Sequence, residues 1–491
     1  MLQWGDRCIG HSCLVPAQWF FPGKDRSNPR CRLHRRPDAE LLRLLAALWR
    51  QLLLFFFPIL LGTFFQQLYN TIDSVIVGQF VGKEALAAVG GSSAQIVAFV
   101  VGFFTGLSSG ASVTIAQFFG AKDSRSANKG LHTAYAIAAF GGLILTVSGI
   151  ILTPFLLEMM NTPADIVADS AVYLRIYFAG IIFVLIYNMG SAILRATGDS
   201  KRPLYYLIVC CIINIVLDVL FVIVFHMGVM GVAVATLIAQ AVSAVLVTLK
   251  LMRSEGILKL SVKQIRFHGS ILKMQLKLGL PTGFEAILFS ITNIAIQSAV
   301  NTFGTDTTAA WSAYGKLDAI FWMVSTAFGI AITTFVGQNY GAGKMDRVRK
   351  STRVCLLMDF IVSAVLVVFL IAARFLLFRL FTNDSHVIEI GCDMLVLITP
   401  WYIVYVFIEV IAGALRGVGN VVVPVAITLL GVCVLRIAWL AAMLKISPTI
   451  SAIILSYPVT WVITALAFII YYIYITHKTI AGSSKKHVPK L

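Results

Sequence analysis

The sequence predicts an all-α polytopic membrane protein, with twelve transmembrane helices in two parallel six-helix repeats. Three observations predict it. The 491 residues are 59% hydrophobic and only 12% charged, with a mean hydropathy of +0.88, whereas a soluble domain is roughly 45–50% apolar and about 25% charged. At roughly 20 apolar residues per crossing, about a dozen helices fit this length. Two stretches also recur at one fixed offset of 221 residues. Leu194-Arg195-Ala196-Thr197-Gly198-Asp199 returns as Leu415-Arg416-Gly417-Val418-Gly419-Asn420, and Gln117-Phe118-Phe119-Gly120 returns more loosely as Gln338-Asn339-Tyr340-Gly341. Duplicated bundles are a common build for secondary transporters, with the substrate path between the halves.

The elements follow in order. Residues 1–45 carry Arg7, Lys24, Arg26, Arg30, Arg32, Arg35 and Arg36 among Pro, Gly and Trp. They have no run long enough to span and lack the order of a cleavable signal peptide, so they read as a basic, disordered cytosolic arm, with Leu41 to Gln51 its one helical candidate. Twelve apolar runs come next, at about 52–78, 92–117, 131–155, 170–194, 204–225, 229–250, 274–300, 308–337, 352–378, 387–414, 421–445 and 450–476. Pro58, Pro281, Pro400, Pro424 and Pro458 fall in or at the ends of these runs, which membrane helices tolerate because neighbours re-satisfy the freed backbone groups. The expected organisation is an N-lobe over 46–250, a basic amphipathic linker over 251–273 on the inner surface, a C-lobe over 274–476 and a basic tail over 477–491.

Loop charge sets the expected orientation. Lys122, Arg125 and Lys129 follow the second run, Arg195, Lys201 and Arg202 the fourth, and Lys344, Arg347, Arg349, Lys350 and Arg353 the eighth. The opposite loops set Lys83, Arg374, Arg379 and Lys445 against Glu158, Asp165, Asp169, Asp384 and Glu389. The positive-inside rule therefore places both termini in the cytoplasm. The net charge of +17 belongs to these loops and tails and does not indicate nucleic acid. Cys210, Cys211, Cys355, Cys392 and Cys433 lie in or beside apolar runs and read as small core residues. Cys8, Cys13, Cys31 and His34 match no zinc spacing.

Ionisable groups inside spans are the best pointers to function, since each costs roughly 2.5–3.5 kcal/mol at the bilayer centre on insertion scales. Asp73 lies in the first run, Thr236 in the sixth, and Asn214 and Asp218 in the fifth at i, i+4, on one helix face. Two carboxylates, an amide and a hydroxyl are hard oxygen ligands suited to Na⁺, and poorly hydrated carboxylates can take a proton near neutral pH. The competing reading leaves both acids merely solvated near the outer interface. Glu285, Asp318 and Glu409 are the candidates for a C-lobe cavity; Asp318, two residues after Lys316, also reads as half of an ion pair. No Walker A run, H-E-x-x-H or phosphate-cradling glycine loop occurs, and no cofactor or enzymatic activity is expected.

From about Leu52 to Tyr472 the chain resembles the multidrug and toxin extrusion (MATE) family, most clearly in Pro58 to Gly78, Thr333 to Gly343, Leu194 to Asp199 and Asn214-Ile215-Val216-Leu217-Asp218. The resemblance implies V-shaped lobes and export of bulky, often cationic organic compounds in exchange for H⁺ or Na⁺. It is to the DinF-type branch, whose motif places a cation site at Asp73, Asn214, Asp218 and Thr236. Phe289 stands where the NorM-type branch carries a Glu, and Glu285 comes one turn earlier, so coupling is expected in the N-lobe. The resemblance also implies a setting in the bacterial inner membrane, and a monomer is expected. A flippase for lipid-linked precursors is the alternative, and its cationic cavity would have to draw on Arg175 and Arg436, the exceptional mid-span basic residues.

Overall fold

The computed structural model describes residues 37–482. The arm expected over 1–45 and the tail expected over 477–491 lie mostly outside these residues. The described residues are mostly helical, with no strand among them, and twelve helical spans are long and apolar enough to cross a membrane. They are α1 (Leu48–Phe80), α2 (Lys83–Gly120), α3 (Ser124–Met159), α4 (Val167–Ala196), α5 (Lys201–Val224), α6 (Gly228–Met252), α7 (Gly269–Asn301), α8 (Thr305–Gly341), α9 (Met345–Ala372), α10 (Ser385–Gly417), α11 (Val422–Ile446) and α12 (Ile450–His477). The helix that contains α1 already begins at Pro37, inside the segment that reads as an arm in the sequence. Pro58 and Pro281 sit within continuous helices, while Pro400 falls in the short 3₁₀ turn Thr399–Trp401 that interrupts α10.

The duplication is legible in the backbone. After α4, Gly198 takes φ 97° and Asp199 N–H bonds to Leu194 O at 2.9 Å; after α10, Gly419 takes φ 87° and Asn420 N–H bonds to Leu415 O at 3.0 Å. Each is a left-handed cap that satisfies an orphan carbonyl of the last turn. The ends of α2 and α8 match in the same way. Lys122 and Gly343 hold φ 58° and 70°, with Asp123 N–H on Phe118 O and Lys344 N–H on Asn339 O. All four turns obey the 221-residue offset, so the repeat preserves geometry where its sequence has drifted.

The halves meet along α2 and α7. A Cβ at Gly106 would overlap the backbone of Gly283, and one at Gly110 would overlap the backbone of Gln275 and Gly279. Small residues let membrane helices approach this closely. Gly106→Val should therefore lower the stability of the purified protein by about 1–3 kcal/mol, the usual cost of overpacking, read as an earlier thermal unfolding transition in detergent. A second contact stacks Phe56 of α1 on Phe328 of α8, ring centroids 4.0 Å apart.

The linker from Arg253 to His268 is no continuous helix. It carries two short 3₁₀ turns, Gly256–Leu258 and Val262–Gln264, and runs against α3. Asn128 Nδ2 donates to Ile257 O and Lys259 O, His132 Nε2 accepts from Ser261 N–H at 3.0 Å, and Thr133 Oγ1 lies 3.1 Å from His268 Nδ1. Leu260 is buried beneath it.

Candidate cation site

Asp73 comes from α1, Asn214 and Asp218 from α5, and Thr236 from α6. The structure brings these four side chains together inside the first half. Thr236 Oγ1 donates to Asp73 Oδ2 at 3.4 Å, and Asn214 Nδ2 reaches Thr236 Oγ1 at 3.5 Å. Asp218 is fully buried and Asp73 is 7% exposed, which excludes solvated groups at a water interface. Asp73 Oδ1, Asn214 Oδ1 and both Asp218 carboxylate oxygens are buried without a hydrogen-bond donor. The Asp73 and Asp218 carboxyls are neighbours, and a hydrogen bond can form between them only when one carries a proton. An uncompensated charge here would cost several kcal/mol. The arrangement thus calls for compensating positive charge, as protons on the carboxyls or a cation among hard oxygen donors. Among the described residues, no group of three or more His, Cys, Asp or Glu comes together to hold a metal ion.

Two features around this cluster have no signature in the sequence. Immediately after Asp218 the helix widens into a π-turn over Val219–Val224; such turns often accompany functional sites because they interrupt the regular backbone ladder. Tyr69, one turn before Asp73, accepts a 3.1 Å hydrogen bond from Gln240 Nε2 of α6. Ile76, Val77, Val89, Val222, Val229 and Val232 form an apolar layer beside the cluster.

In the second half, Glu285 and Glu409 share one partner and Asp318 has others. Arg416 ties Glu409 at 2.9 Å and Glu285 at 4.0 Å, so these two acids share one guanidinium. Asp318 does not pair with Lys316. Its Oδ1 accepts from Tyr402 OH at 2.5 Å and Tyr314 OH at 3.3 Å, and its Oδ2 accepts from Trp322 Nε1 at 2.7 Å. Residues two apart on a helix face away from each other, whereas Tyr314 and Trp322 are each four away from Asp318. Phe289 packs edge-on against Trp322. Asp359 of α9 is not among the candidates the sequence offers, yet it is fully buried, with Ser363 Oγ donating to Oδ1 at 3.2 Å and no partner on Oδ2. Arg436 is also enclosed: it donates to Thr460 Oγ1 at 3.0 Å and stacks 4.0 Å over the Tyr457 ring.

The MatE family model matches residues 58–220 and again 281–440. The chain belongs to the multidrug and toxin extrusion (MATE) family. The two matched segments fall one in each half, as the duplication requires. Members of this family are transporters, so the chain is a membrane transporter and not an enzyme. Over 394 residues it is 30% identical to the Bacillus subtilis protein named "Probable multidrug resistance protein YoeA", covering 79% of this chain and 85% of that one. It is 30% identical over 388 residues to B. subtilis "Probable multidrug resistance protein YpnP", covering 79% and 86%. A solved MATE transporter of the MOP superfamily in an outward-facing conformation superimposes with a TM-score of 0.82 at 20% identity, covering 90% of this chain and 97% of that one.

Proposed function

We propose that this MATE-family transporter is a multidrug exporter. It exchanges bulky organic, often cationic compounds for H⁺ or Na⁺ by alternating access, with Asp73, Asn214, Asp218 and Thr236 as the coupling site. The supporting observation is the set of four buried oxygens without donors around Asp73 and Asp218. A transporter that must bind and release a cation in each cycle needs a place where the cation is wanted but not built in. The multidrug-resistance names of the relatives support the substrate class. In this proposal the ion arrives from outside and binds between α1, α5 and α6. The π-turn next to Asp218 then lets α5 repack, and drug leaves outward.

The setting we infer is the bacterial inner membrane, as a monomer with both termini in the cytoplasm. The chain would divide into an N-lobe over 46–250, a linker over 251–273 and a C-lobe over 274–476. A lipid-precursor flippase finds less support, because Arg436 is committed to Thr460 and Tyr457 rather than to a cationic cavity.

The test is ethidium or norfloxacin movement in liposomes of purified protein under imposed pH or Na⁺ gradients. Movement that follows one gradient is expected. Folded protein that moves neither drug under either gradient would overturn the reading.

A further inference from the structure

The loose repeat Gln117-Phe118-Phe119-Gly120 and Gln338-Asn339-Tyr340-Gly341 marks the duplication, but the coupling site makes no use of it. Its glutamines are both buried, and each reaches into the other half. Gln117 Nε2, at the end of α2, donates to Gly417 O at the end of α10, at 2.9 Å. Gln338 Nε2, at the end of α8, donates to Ala196 O at the end of α4, at 2.8 Å. Donors and acceptors are both related by the 221-residue offset, so the two bonds are the same bond made twice across an approximate two-fold axis. The glycines three residues on complete the reciprocity. A Cβ at Gly120 would overlap Gln338 O, and a Cβ at Gly341 would overlap Gln117 O.

We propose that Gln117 and Gln338 are the paired gate residues of the transport cycle: they close the two halves against each other at this end of the path, and both bonds must break for it to open. This rests on the alternating-access reading above. The chemistry suits a reversible latch. The C-terminal ends of α2, α4, α8 and α10 converge here, each with orphan carbonyls and the negative end of a helix dipole. Those ends repel, and the two amide N–H groups offset the repulsion. A neutral amide bond has a small net worth, and its loss shifts a two-state balance about fivefold. Once the ends separate, water can take over the carbonyls. An ion pair at the same place would hold the gate more tightly.

The test places spin labels at Arg125→Cys and Asp346→Cys, one position in each half near this end, in protein whose native cysteines are replaced. Distances are then compared in lipid nanodiscs with and without Gln117→Glu, Gln338→Glu and both together. Glutamate keeps the shape but cannot donate when ionised. Each single change is expected to shift population toward the longer distance about fivefold, and the double change further, with slowed drug export. Gly120→Ala keeps both amides but sets a methyl against Gln338 O, so it should produce the same lengthening; it serves if the glutamate variants do not fold. An unchanged distance distribution in the double variant and in Gly120→Ala would overturn the proposal, as would a widened end with export at the wild-type rate. Labelling of the widened end by an impermeant thiol reagent from the inner face alone checks orientation separately. If the chain proves to move no drug, the distances still report whether the latch exists.

Discussion

Asp218→Asn is expected to abolish gradient-driven export while leaving the protein folded. The carboxylate at 218 is fully buried and neither of its oxygens has a donor, so its charge has no structural partner to lose. Asparagine fills the same volume, removes the demand for a counter-charge and can donate to the neighbouring Asp73. The variant should therefore unfold at a temperature no lower than wild type, a gain in stability bought with function. The transport loss is large by simple arithmetic. If one proton is exchanged per substrate, each pH unit across the membrane stores about 1.4 kcal/mol and sustains about a tenfold concentration ratio. In Asp218→Asn that ratio should fall to the value seen without a gradient, measured as ethidium distribution across liposomes. Thr236→Ala removes one hydroxyl and should weaken coupling without abolishing it. Full gradient-driven accumulation in Asp218→Asn would remove this site from the mechanism.

Arg416→Met should be among the most destabilising single changes in the chain. The guanidinium stands between Glu409 at 2.9 Å and Glu285 at 4.0 Å, and all three side chains are less than a fifth exposed. Taking away the one cation leaves two carboxylates without it, and breaking a buried pair from one side costs about 3–5 kcal/mol. The expected readout is a marked drop in thermal stability and in the yield of monodisperse protein. Adding Glu409→Gln should recover much of the loss, because it removes one of the abandoned charges. If the double variant is no more stable than Arg416→Met alone, the guanidinium acts through packing rather than charge.

Most of the architecture is legible in the order of the residues. Hydropathy locates twelve spans because each is a run of apolar side chains at least as long as the bilayer core is thick. The repeat at 221 residues is legible because left-handed caps accept few residues: Gly198 and Gly419 survive where the surrounding helices have drifted. The i, i+4 spacing of Asn214 and Asp218 is equally readable, since helix geometry alone puts them on one face. Contacts between helices distant in sequence are not. Nothing in the sequence around Glu285 indicates that Arg416, from another helix, lies beside it, and Asp359 sits in a run that otherwise reads as ordinary core. The π-turn after Asp218 has no compositional mark, because Val219 to Val224 would suit a regular helix as well. The pairing of Asp318 with Lys316 fails for a general reason: adjacency in sequence is not adjacency on a helix.

The reciprocal bonds between Gln117 and Gly417, and between Gln338 and Ala196, also bear on inheritance. After a gene doubles, its copies are ordinarily free to diverge, one keeping the old task while the other acquires a new one. Here each copy completes the other's seam, and a side chain gained at Gly120 would collide with a carbonyl of the opposite copy. These few positions are therefore expected to have aged together, while the polar interiors of the two copies differ, Asp73 and Asp218 in one against Arg416 with Glu285 and Glu409 in the other. A hybrid joining the first half of this chain to the second half of a distant relative should assemble only if both partners bring a matching seam.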